Sequence, residues 1–260
     1  MPILITIVFL AGTAFHSFAQ DKVLPAEAKP FLVKGYEMMD YVTGDLNGDK
    51  KMDAILILKV PGEDTIYEDT ASRPLLMLVR QANGKLKQLK RNDNIVMCRQ
   101  CGGVFGDPYE NTVIENNGFT INFYGGSSWR WGYQYSFTYK PAAKDWVLTK
   151  EVEINFQSGD PEATMKEVTI NADELPDQPF EKFTSGPGYD DTRWKVIAAK
   201  TFFYDSPGLK NKPRKAYLLK DDVVTGIREL NNFVEVSFQN KKERFSNGFV
   251  LKKDLIRVKQ

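Results

Sequence analysis

From Trp129 to Lys140 every second residue is aromatic: Trp129, Trp131, Tyr133, Tyr135, Phe137 and Tyr139 alternate with Arg130, Gly132, Gln134, Ser136, Thr138 and Lys140. Successive side chains of a strand point to opposite faces, so the pattern places the six rings on one side. The expected setting is an antiparallel sheet with one face in a core and the other in water. Leaving all six rings in water would forfeit on the order of 20 kcal/mol of burial. The ring face is therefore expected to be core, with Trp129 near the turn free to be exposed. The alternative is an aromatic platform for sugars or peptides.

The rest of the chain reads mainly as β. Tyr36 to Thr43 and Ala54 to Val60 are expected strands flanking a turn. Pro74 to Gln81 and Lys85 to Arg91 form an expected hairpin across Asn83-Gly84, a strong turn dipeptide. Phe119 to Tyr124 leads through Gly125-Gly126-Ser127-Ser128 into the aromatic strand, followed by Trp146 to Phe156 and a weaker strand near Glu167 to Ile170. A short helix is expected over Pro25 to Leu32. Ala172 to Trp194 is rich in Asp, Glu, Pro and Gly without periodicity, and reads as a linker. The expected organisation is a β domain over 20–170, a linker over 171–194 and a further unit over 195–260.

Ile3 to Phe15 is largely apolar and is followed by Ser17-Phe18-Ala19, a small-x-small pattern. Residues 1–19 therefore read as a secretory signal, too short to span a bilayer as a helix, and no later segment is long and apolar enough to span one. The expected location is exported, periplasmic or extracellular. The single histidine, His16, falls inside that signal. A mature chain without histidine has no Ser-His-Asp or Cys-His nucleophile and no His-rich zinc site. Carboxylate chemistry of the glycosidase type stays open, and no nucleic-acid motif is present. Residues 195–260 carry 15 Lys/Arg against 7 Asp/Glu, a net +8, whereas residues 1–194 carry 20 against 27, a net −7. That asymmetry implies either two units with different partners or two solvated surfaces.

Asp45-Leu46-Asn47-Gly48-Asp49-Lys50-Lys51-Met52-Asp53 carries side-chain oxygens at positions 1, 3, 5 and 9 of a calcium loop, with the Lys51 carbonyl at position 7. Ca²⁺ takes six to eight oxygens, and a tight loop turns alternate groups inward. Lys50 stands at the usual glycine position and Leu56 at that of the bidentate glutamate, so the loop is not an EF-hand. The apolar run after it, Ala54 to Leu58, reads as a strand. The expected ligands are Asp45, Asn47, Asp49, Lys51 and Asp53; the alternative is an acidic turn without metal. Cys98 and Cys101 are expected to form a disulfide, as exported cysteines do. Gly102 to Pro108 lacks a phosphate-loop pattern and reads as a loop shaping the sheet edge, with Asp107 a weaker candidate for a further cation ligand.

Asp45 to Asp53, followed directly by a strand, resembles the calcium loops of FG-GAP and VCBS-type β proteins. The stretches Gly44–Asp49, Arg91–Asp93, Cys98–Pro108 and Tyr124–Trp131 together look like a family of exported bacterial proteins that carries no assigned activity. Residues 195–260 resemble a bacterial SH3 domain through Phe203–Pro207, Ala216–Val224, Asn232–Phe238, Gly248–Val250 and Asp254-Leu255. Phe249 stands where that family usually has Trp. The resemblance implies a mainly β fold: an antiparallel sheet domain with a calcium loop, plus a small SH3-like barrel. It also implies binding of peptidoglycan or of an envelope protein or peptide, with Tyr204, Tyr217, Phe233 and Phe249 as candidate groove residues, some of which must instead fill the core of so small a barrel, or else a spacer role. The expected function is non-catalytic binding in the envelope. The alternatives are a protein-binding inhibitor or immunity-type protein and, behind it, a carboxylate-based glycan hydrolase.

Overall fold

The computed structural model describes residues 23–65, 71–186, 192–240 and 242–258. The expected export signal lies outside the described residues. No helix among them is long and apolar enough to cross a membrane. The fold is mainly β and its sheets are antiparallel.

The first sheet is a meander of β1 (Glu37–Gly44), β2 (Asp53–Lys59), β3 (Leu75–Arg80) and β4 (Leu86–Asn92). The β3–β4 hairpin turns at Asn83-Gly84, where Gly84 takes φ +78°, a conformation that glycine adopts without steric cost. β2 is apolar on both sides because both sides are covered. Ile55 and Ile57 face the main core with Leu75 and Met77. Ala54, Leu56 and Leu58 face an outer layer with Leu76 and Leu78, closed by Leu24, Phe31, Val33 and Tyr36. The expected helix over Pro25–Leu32 is instead a turn followed by one 3₁₀ turn, Lys29–Phe31. Pro30 has no N–H to donate and interrupts any longer helix there.

The second sheet contains β5 (Tyr109–Glu115), β6 (Gly118–Gly126), β7 (Trp129–Lys140), β8 (Asp145–Gln157) and β9 (Lys166–Asn171), in chain order. The ring face of β7 is core over its middle. Tyr133, Tyr135 and Phe137 are buried, Trp131 and Tyr139 are partly so, and Trp129 at the turn is 58 % exposed. Phe119 of β6 pairs with Phe137 across the ladder, and their rings stack at 5.0 Å. The first sheet covers this face with Ile55, Ile57, Leu75 and Met77.

Residues 172–186, expected to be part of a linker, form a packed strap. Leu175, Phe180 and Phe183 are buried in the main core. Phe180 sits edge-on to Phe119 at 5.8 Å and to Phe137 at 5.7 Å. Asn92 Nδ2 donates to the carbonyls of Phe180 and Phe183, tying the strap to β4. Three apolar residues without periodicity give no strand or helix signal, yet all three join the main core, and Phe180 and Phe183 lie edge-on to its rings.

The C-terminal unit contains β10 (Arg193–Val196), β11 (Lys200–Phe202), β12 (Tyr217–Leu219), β13 (Val223–Glu229), β14 (Phe233–Gln239), β15 (Phe245–Leu251) and β16 (Leu255–Arg257). The expected barrel is not closed among the described residues. Five strands form a sheet in the order β15-β14-β13-β10-β16, and β11 and β12 form a separate ribbon. The ribbon strands are three residues long, and Pro207 and Pro213 in their connection cannot donate to a ladder. Trp194, Val196, Phe203, Val234, Val236 and Val250 make the unit's own core. Leu230, Phe233 and Phe249 belong to the main core, so the unit is packed onto the second sheet and strap.

Phe180→Ala should lower the unfolding free energy by about 3–5 kcal/mol, as for other buried aromatic truncations. A denaturant titration measures this; a residue in a solvated linker would cost within about 0.5 kcal/mol.

Candidate metal centre and the clusters around it

The loop between β1 and β2 is knitted by its own side chains. Asp45 Oδ1 accepts the N–H groups of Asn47 at 3.2 Å and Gly48 at 2.7 Å, and Oδ2 accepts that of Lys50 at 2.7 Å. Asn47 Oδ1 accepts from Asp49 N at 3.0 Å, and Asp49 Oδ1 from Lys51 N at 2.9 Å. Short acidic and amide side chains close such Asx turns readily. Lys50, at the usual glycine position, itself takes the left-handed conformation, φ +64°.

Asp53 anchors the loop to the sheet. It is fully buried, and its carboxylate accepts from Leu46 N at 3.0 Å and from Arg80 N of β3 at 2.8 Å. Burial raises its pKa, against those two donors and reinforced by the charges of Asp49 and Asp45. Asp45, Asp49 and Asp53 each present a carboxylate oxygen within 4.8 Å of the others. This triad could hold a metal ion, and an all-oxygen, trianionic set suits a hard divalent cation rather than a thiophilic one. Asn47 Oδ1 lies in the same loop, and the Lys51 carbonyl accepts from Asp53 N at 3.1 Å. The Lys51 ammonium sits 2.8 Å from Asp49 Oδ2 and holds the Asp49 carboxyl below its ordinary pKa. Asp107 is not part of the loop. It forms a two-pronged ion pair with Arg73, at 2.8 and 2.7 Å.

Cys98 and Cys101 lie at disulfide distance, their Cα atoms 5.1 Å apart. The following glycine loop lies against the β6–β7 turn: Val104 N donates to the Gly126 carbonyl at 3.1 Å, and Gly126 N to the Gly102 carbonyl at 2.9 Å. A Cβ on Gly102 would fall 2.4 Å from the Gly106 carbonyl oxygen, so the loop closes on itself only with glycine there. It shapes the sheet edge, as expected.

Three of the four candidate groove residues, Tyr204, Phe233 and Phe249, are brought together, but packed against the core rather than around an open groove. Phe233 and Phe249 are core residues, 0 % and 2 % exposed. Tyr204 is half-buried, bridged to Phe249 through the backbone and edge-on to Phe233 at 5.2 Å. Tyr217 stands apart on the ribbon, exposed, with the Lys200 ammonium 3.9 Å above its ring. In so small a unit, the largest apolar residues are needed to bind it to its neighbours.

Two guanidinium clusters, one buried around Arg73 and one partly buried around Arg228, carry no sequence signal, because each joins segments that are distant along the chain. Arg73, 1 % exposed, is held by Glu63 at 2.7 and 3.0 Å, by Asp107, and by the Met97 carbonyl at 3.0 Å. Arg228 of β13 is shared by three carboxylates. It donates to Glu151 of β8, to Glu235 of β14 at 2.9 Å, and lies 3.7 Å from Glu153. Burial raises the pKa of both Glu151 and Glu235. Comparison of the chain with family models, with curated proteins and with solved structures returns no match.

A carboxyl whose folded pKa is raised favours the folded state below its unfolded value and loses that contribution as pH rises through the folded one. Glu235 starts from 4.5 and is shifted upward. The stability of the wild type relative to Glu235→Gln should therefore fall as pH rises from about 4.5 towards neutrality. Parallel denaturant titrations across that range measure it; a wild type that gains stability relative to Glu235→Gln as pH rises would contradict the arrangement.

Proposed function

We propose that the protein is exported to the cell envelope and acts there by binding, without catalysis, with Ca²⁺ held in the β1–β2 loop. The observation that carries the binding reading is the surface of the basic C-terminal unit. Lys200, Lys210, Lys212, Lys215 and Lys220 are exposed on the ribbon and its connection. The ribbon also carries aromatic and apolar side chains, Phe202, Tyr217 at 48 % exposure and Leu219 at 51 %, with the Lys200 ammonium over the Phe202 and Tyr217 rings at 4.8 and 3.9 Å. A cationic face of this kind draws anionic polymers over a Debye length of about 8 Å at physiological salt. Flat aromatic side chains add contact that survives salt. Peptidoglycan and envelope proteins or peptides both offer such partners. The SH3-like pattern and the signal-like N-terminus support the same reading.

The calcium reading rests on the Asp45–Asp49–Asp53 convergence. Extracellular calcium modules often bind with Kd of about 10⁻⁴–10⁻³ M. At ten times Kd, linkage gives roughly 1.4 kcal/mol of stabilisation. Calcium should raise the melting temperature of wild type but not of Asp49→Ala; an equal rise in both would reject the assigned ligands.

Wall binding is tested with the whole exported chain, because the C-terminal unit shares the main core and is not separable from it. The protein should cosediment with purified peptidoglycan at low salt. Replacing Lys200, Lys215 and Lys220 together by alanine should weaken this severalfold, and Tyr217→Ala should remove what persists at high salt. A folded protein that never cosediments at low salt would overturn the assignment.

A further inference from the structure

A cavity of about 630 Å³ opens between the second sheet and the C-terminal sheet, within the range typical of small-molecule sites. The β7–β8 register builds one wall. Tyr133 lies opposite Glu153, and Trp131 opposite Asn155, so all four side chains leave the same face of the sheet. Glu235 of β14 and Asn247 of β15 contribute the facing wall. A second cavity of about 520 Å³ shares Glu153, Asn155, Glu235 and Asn247, so these four polar groups stand where the two spaces adjoin.

The charge of the larger cavity is one-sided. Glu153 and Glu235 line it, and no lysine or arginine among the described residues does. Arg228 stands behind them, its Nη2 2.9 Å from Glu235 Oε2 and 3.7 Å from Glu153 Oε2. Its Nη1 is taken by the buried Glu151. Three carboxylates thus share one guanidinium, and the excess negative charge faces the cavity. Both cavity carboxylates reach the same nitrogen, which brings them close enough together for one further cation to touch both. The aromatic members have a consistent role, because the face of an aromatic ring attracts an ammonium group. Trp131 is only partly buried, and its ring lies 5.3 Å from that of Tyr133. A bare metal ion does not match a space this large with aromatic walls. A neutral ligand would desolvate the two carboxylates without compensating them.

We propose that this cleft binds an organic cation, its ammonium group between Glu153 and Glu235 and its body against Trp131 and Tyr133. Asn155 Nδ2 donates to Glu153 Oε1 at 2.7 Å and so orients that carboxylate, and Asn247 lines the cavity with an amide group for hydroxyls or amides on that body. The site is independent of the calcium loop and of the lysine-rich ribbon.

Calorimetry on the whole protein at near-neutral pH tests this with choline and cadaverine as cations, and with 3,3-dimethylbutanol as the neutral isostere of choline. At least one cation should bind saturably, and choline or cadaverine should bind about tenfold more tightly than the alcohol. Glu153→Gln and Trp131→Ala should each weaken the bound cation by about tenfold. Glu153 is the primary target because its contact with Arg228 is the longest of the three, so the variant keeps the Arg228–Glu235 and Arg228–Glu151 pairs. Lys220→Ala, on the ribbon, should bind as the wild type does. Failure of both cations to bind saturably would overturn the proposal. So would equal affinity for the alcohol, or an unchanged affinity in folded Glu153→Gln protein.

Discussion

A strand carrying Tyr133, Tyr135 and Phe137 on one face requires a second layer over that face, and the rest of the molecule is arranged to provide it. The first sheet supplies aliphatic cover through Ile55, Ile57, Leu75 and Met77. Aliphatic side chains from a flat sheet do not fill the gaps between rings, and Phe180 and Phe183 enter those gaps edge-on. Edge-to-face contacts add about 0.5–1.5 kcal/mol each beyond the area they bury. Towards the β6–β7 turn the cover thins. Trp131 is half-buried and Trp129 is exposed, and the cleft opens beside them. The binding cleft and the core are thus two ends of one aromatic row.

The two guanidinium clusters show opposite solutions to buried charge. Arg73 directs its donors at two carboxylates and one carbonyl. Breaking such a pair from one side costs about 3–5 kcal/mol, because the remaining charge is left uncompensated. It joins points as distant in sequence as Glu63, Met97 and Asp107 and has the character of a structural rivet. Arg228 is outnumbered by Glu151, Glu153 and Glu235, and burial raises the pKa of Glu151 and Glu235. Both clusters hold more carboxylates than guanidinium groups, but only that of Arg228 turns carboxylates, Glu153 and Glu235, into an open cavity, where a partner of opposite charge can reach them.

The strands were legible wherever one physical signal decided them. Alternation marked β7, the Asn83-Gly84 dipeptide marked the β3–β4 turn, and the acidic spacing marked the loop before β2. The strap was not legible, because Leu175, Phe180 and Phe183 follow no period; only the finished ring face gives them a place. The open C-terminal sheet departs from the expected barrel because β11 and β12 are too short to close it. Phe233 and Phe249 were groove candidates only through the SH3-like resemblance, with some of the four candidates expected in the unit's own core; both are core residues, and the core they join is the main one. Neither guanidinium cluster could be found in the sequence, since Arg228 and Glu151 are 77 positions apart. The cleft follows the same rule: its walls come from strands that meet only in the fold.

The β1–β2 loop reaches further than its own turn. The Leu46 N–H is held by buried Asp53, and its carbonyl accepts from Trp146 Nε1 at 2.7 Å. Trp146 is buried and lies 4.8 Å from Tyr139, at the far end of the β7 ring face. Order in the loop is therefore transmitted directly to the main core. Within the loop, the Asp49–Lys51 pair is substantially exposed on both sides, 33 % and 43 %, and pairs of that kind contribute about 0–1 kcal/mol. Lys51 therefore balances Asp49 only weakly and leaves Asp53 untouched. A divalent cation held by all three carboxylates would displace that ammonium at little cost and would also reach the one of the three that is fully buried. Because Asp53 and Leu46 connect the loop to β3 and to Trp146, the stabilisation such an ion would provide would appear in the cooperative unfolding of both sheets rather than in local ordering of a turn.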